Sequence, residues 1–110
     1  MTAPWPPPPD LASIKKLVRD ADTEEFIANG APADEYDHEA ELLLASIGRL
    51  PTAELTTATI APHIERIWSK SFDYDDHVLA ISRPALLNLA QQIARFFGPE
   101  AQPQVRGLSS

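Results

Sequence analysis

Glu35 and His38 stand three residues apart in a stretch loaded with carboxylates, Asp34-Glu35-Tyr36-Asp37-His38-Glu39-Ala40-Glu41. On a helix, that spacing puts a carboxylate and an imidazole on one face. Helical bundles that hold two metal ions use such inward pairs. A second cluster, Asp73-Tyr74-Asp75-Asp76-His77, would add ligands if the chain folds it onto the first. One chemical reading is therefore a divalent-metal site, catalytic or simply metal-binding, built from Glu35, Asp37, His38, Asp75, Asp76 and His77. Di-metal bundles carry two Glu-x-x-His motifs, and this chain has one. The oxygen-rich set Asp34, Asp37 and Glu41 would suit a hard cation such as Mg²⁺ or Ca²⁺. It lacks the central glycine and closing glutamate of an EF-hand loop. Without a metal, Asp34 reads as a helix cap, Glu35 and Glu39 as solvated, and His38 as facing water beside acids.

Other chemistries find no complete set. With no cysteine, disulfides, thiolate metal sites and cysteine nucleophiles are excluded. No serine sits in a G-x-S-x-G turn, and no glycine-rich loop cradles a phosphate. No cofactor is implied beyond the metal alternative.

The charge pattern favours a different use. From Asp20 to Glu41 there are nine acids and no Lys or Arg, so this block contributes −9 against +2 from the rest of a chain of net charge −7. Acids in a first helical turn meet the positive end of the macrodipole, for ~0.3–1 kcal/mol each. That accounts for some of these carboxylates and not for all. The leading expectation is a non-catalytic interaction or regulatory module that meets a basic protein partner through Asp34, Glu35, Tyr36, Asp37, Glu39 and Glu41. Tyr36 and Tyr74, each set between acids, offer ring area with an electrostatic rim. Tyr36 also fits the apolar face of its own helix. By analogy of size and acidity, an inhibitor or immunity-type protein is one form of this reading. The acidic balance, with a pI near 4.7, argues against nucleic acid, which demands a basic stripe. No apolar run approaches the ~20 residues that span a bilayer, and no basic stretch precedes an apolar one at the N-terminus. The expectation is a cytoplasmic protein without membrane contact; a homodimer is compatible with it.

A chain of 110 residues fits one domain. Residues 1–9, with Trp5 before four prolines, read as a polyproline leader, and 99–110 as a tail. Between them, over 10–98, the pattern is helical. Leu11, Ile14, Leu17, Val18 and Ala21 recur at helical spacing behind a capping Asp10. Lys15, Lys16 and Arg19 form a solvated face on that helix. Asp22-Thr23-Glu24-Glu25 resembles a capping box and predicts a short second helix ending at Asn29-Gly30. A third helix starts between Asp34 and Tyr36, turns Tyr36, Ala40, Leu43, Leu44, Ile47 and Leu50 inward, and stops at Gly48 and Pro51. A fourth carries Ile60, Ile64, Ile67, Trp68 and Phe72, with Pro62 marking its start or a kink. The fifth runs from about Arg83 to Phe97 and is stopped by Gly98-Pro99. The fold class expected is all-α, a small bundle of four main helices plus one short helix.

Gly30-Ala31-Pro32-x-Asp34-Glu35-Tyr36-Asp37-x-Glu39, with the later Ile64-x-x-Ile67-Trp68-x-x-Ser71-Phe72 before a final amphipathic helix, resembles the YugE-like family of short bacterial proteins. The resemblance spans about Leu11 to Phe97. It implies an all-helical fold in a bacterial protein and carries no activity or site residue with it.

Overall fold

A computed structural model describes residues 8–32, 34–99 and 101 of the chain. Four helices, α1 (Leu11–Ala21), α2 (Asp37–Ile47), α3 (Thr57–Ser71) and α4 (Asp76–Phe97), make an all-α bundle, with a single 3₁₀ turn at Thr52–Glu54. Each helix packs on two neighbours. The chain runs α1 on α2, α2 on α3 and α3 on α4, and α4 closes back on α1.

The helix starts follow from short polar side chains. The Asp10 carboxylate accepts the Ser13 N–H at 2.9 Å, the Thr56 hydroxyl accepts the Thr59 N–H at 3.3 Å, and Asp75 accepts the Val78 N–H at 2.7 Å. Each satisfies a donor that the first turn of a helix leaves without an intrahelical partner. α2 lacks such a cap: Tyr36 occupies the position and its side chain makes no capping bond. Asp34 is exposed and does not cap the helix.

The apolar periodicity becomes one core. Ile14 and Val18 of α1 meet Tyr36 and Ala40, Leu43 and Ile47 of α2, Ile60, Ile64 and Trp68 of α3, and Leu86, Leu89, Ile93 and Phe97 of α4. These side chains are withdrawn from water, each worth roughly 1.5–3 kcal/mol for the larger aliphatics and aromatics. Leu55, just after the 3₁₀ turn, plugs the end of the bundle. Gly98 lies so close to the Leu55 and Ala94 carbonyls that a Cβ there would collide with both, so the chain leaves α4 at a residue without one.

Three expectations about elements are corrected. The segment from Asp22 to Gly30 is a run of turns and not a second helix; the short helical element lies instead at Thr52–Glu54. α3 begins five residues before Pro62, which sits exposed inside the helix. α4 begins at Asp76, well before Arg83, with Pro84 exposed within it. The Trp5-Pro6-Pro7 leader and residues 102–110 lie outside the described residues.

Candidate functional site

The acidic block is largely consumed by the fold. Asp22 ends α1 in the left-handed conformation, φ 41°. Its carboxylate then accepts the Ile27 N–H at 3.1 Å, the Ala28 N–H at 2.9 Å and the Tyr36 hydroxyl at 2.7 Å. Desolvation pushes the Asp22 carboxyl up, but these donors outweigh it and hold it below the usual carboxylate range. Tyr36, fully buried, accepts the Glu24 N–H at 2.9 Å. Burial, reinforced by the bond to Asp22, pushes its phenol up to about 12. Glu24 itself accepts the Tyr74 hydroxyl and is raised by desolvation. Asp20 pairs with Lys16 at 2.6 Å.

Asp37 is also spoken for. Arg19 reaches it at 3.0 Å and Lys15 at 3.5 Å. Desolvation raises its carboxyl, and the two cations overcome that and lower it. Lys15 and Arg19 therefore join α1 to the start of α2, and are not simply a solvated face. Glu39, expected to be solvated, is only 5% exposed.

Of the six residues expected to form a partner surface, Tyr36 and Glu39 are withdrawn from solvent and Asp37 is paired. Asp34, Glu35 and Glu41 stay exposed, and none has a cationic partner among the described residues. Tyr36 is buried, and the exposed aromatic of the acidic stretch is Phe26. Its ring stacks on Tyr36 with centroids 5.9 Å apart and 17° between planes, and touches Phe72 edge-on at 5.7 Å. It remains 36% exposed. Sequence reasoning placed Phe26 inside a short helix; Phe26 and Ile27 are adjacent and followed by Asn29-Gly30, too short a run to show a period.

The metal set is not assembled. Among the described residues, no group of three or more His, Asp or Glu side chains is placed to hold an ion. Asp37 is engaged by Arg19 and Lys15, and Asp75 caps α4. Glu35, His38, Asp76 and His77 are exposed. The segment carrying Asp73–His77 does fold onto the acidic block, but through the Tyr74–Glu24 bond. His63 instead receives the Arg66 guanidinium on Nδ1 at 3.2 Å. No helix among the described residues is long and apolar enough to cross a membrane.

No family model, curated protein or solved structure matches the chain.

Proposed function

We propose that this protein is a non-catalytic interaction module of the cytoplasm that binds a basic protein partner through an aromatic–acidic face. Phe26 is the anchor and Glu25, Asp34, Glu35 and Glu41 supply the charge. The observation that carries the reading is Phe26 itself. A large ring stands partly in water on top of a buried Tyr36, in a stretch from Asp20 to Glu41 that has nine acids and no Lys or Arg. Interface anchors combine such a rigid aromatic with a surrounding polar rim, and the rim charge steers association. Kinship with the YugE-like bacterial family belongs to the same proposal and rests on the Gly30–Glu39 residues.

The test is affinity capture with the full-length chain against its Phe26→Ser and Asp34→Asn/Glu35→Gln/Glu41→Gln variants. A true partner is retained at low salt, released as salt screens the charges, and lost by both variants. Retention that is indifferent to salt and to both variants sinks the reading.

A further inference from the structure

Between α2 and α3 lies an open hollow of about 700 Å³, within the size range of small-molecule sites. Its apolar floor is Leu42, Ala45 and Ile67. Leu42 is 38% exposed, so this surface is not closed by the described residues.

Two cations edge the hollow from α3. Arg66 and Lys70 are one helical turn apart, and neither has a carboxylate within ion-pairing distance among the described residues. Lys15, Lys16, Arg19 and Arg83 all do. Arg66 is held in place without being neutralised: its guanidinium rests on Ser46 Oγ at 3.5 Å across the groove and on His63 Nδ1 at 3.2 Å. In a chain of net charge −7, an unneutralised basic pair beside an apolar floor is a local reversal of sign.

Glu39 is the one carboxylate among the residues that line the hollow. It lines the same hollow, is nineteen-twentieths buried, and receives no hydrogen bond from another residue's side chain among the described residues. Its carboxylate accepts its own backbone N–H. Burial holds it above the ordinary glutamate value, so it takes up a proton more readily than an exposed acid.

We propose that the α2–α3 groove binds a small amphipathic organic acid, its carboxylate meeting Arg66 and Lys70 and its apolar part lying on Leu42, Ala45 and Ile67. This proposal does not depend on the Phe26 face.

Octanoate is the probe, titrated into isotope-labelled full-length protein and followed through backbone amide shifts. Octyltrimethylammonium, with the same chain and opposite charge, is the control. The expected result is saturable shifts centred on Leu42, Ser46, Ile67 and Lys70 with octanoate and not with the ammonium. Arg66→Glu/Lys70→Glu, both exposed positions, should weaken binding at least ~10-fold while leaving the circular dichroism unchanged. Should that pair perturb the fold, Leu42→Asp serves in its place with the same expectation. The proposal is overturned if octanoate gives no saturable shift in the groove, if the ammonium shifts the same amides equally, or if a folded variant binds as the parent does.

Discussion

The Tyr36 hydroxyl sits between two parts of the 22–24 turn: it donates to the Asp22 carboxylate at 2.7 Å and accepts the Glu24 N–H at 2.9 Å. Asp22 in turn takes the Ile27 and Ala28 N–H groups. One buried phenol at the start of α2 thus organises the whole stretch from the end of α1 to Gly30, and sets the platform on which Phe26 stacks.

Removing that hydroxyl leaves Asp22 short of a donor and the Glu24 N–H short of an acceptor. Tyr36→Phe is expected to cost about 1–3 kcal/mol. Asp22→Asn should cost a similar amount, since asparagine still tolerates the left-handed φ but loses the charge that strengthens these bonds. Urea melts of both single variants and the double variant would show a double-mutant coupling well above the ~0.5 kcal/mol that independent sites give. Simple additivity would mean the two groups do not act as a unit.

The same turn is tied to α3 by the Trp68 indole, whose N–H donates to Thr23 Oγ1 at 2.8 Å from a fully buried ring. Thr23→Val keeps the shape and removes the acceptor, stranding the indole N–H. The expected loss is about 1–2 kcal/mol, read as a lower urea midpoint with an unchanged m-value. A change in m-value instead would place the effect on the compactness of one state.

Where the sequence was legible, the forces were local. Ile14 and Val18, or Leu86, Leu89, Ile93 and Phe97, repeat at helical spacing, and all are buried; Asp10 caps as its position implies. The failures lie where a distant group decides. Asp22-Thr23-Glu24-Glu25 has the composition of a capping box, but Asp22 spends its carboxylate on Tyr36 and on two turn amides, so no helix starts. The last helix, expected from about Arg83, starts earlier. Asp75 provides a stronger start earlier, and Leu79 packs against the core while Pro84 faces water. Three of the expected surface residues are taken up for the same reason: Tyr36, Asp37 and Glu39 meet structural partners or burial that one-dimensional spacing cannot display.

The Arg19–Asp37–Lys15 contact gives an acid-side prediction. The Asp37 carboxyl in the folded chain lies below its ordinary 3.8, so between the two values the unfolded chain binds more protons. The contribution is present above 3.8 and is lost as pH falls through the folded value. Asp37→Asn should flatten the acid limb of melting temperature against pH, measured from about pH 2 to pH 6. Parallel limbs for variant and parent would show that Asp37 is not coupled to the two cations.

Glu39 acts with the opposite sign. Burial raises its carboxyl above the ordinary 4.5, so the folded chain is the state that holds the extra proton. Stability from this group is greatest below 4.5 and declines as pH rises through the folded value, because ionisation then occurs in a site with little water and no donor from a neighbouring side chain. Glu39→Gln removes the ionisation and keeps the size. The variant is expected to match the parent in acid and to be more stable at neutral pH by about 1 kcal/mol, seen as a melting temperature higher by roughly 4 °C. The difference between the two curves should open only above the ordinary glutamate value. A variant that is less stable at neutral pH would mean that the Glu39 carboxylate already has a partner in the folded protein, and that the α2–α3 groove is closed by it.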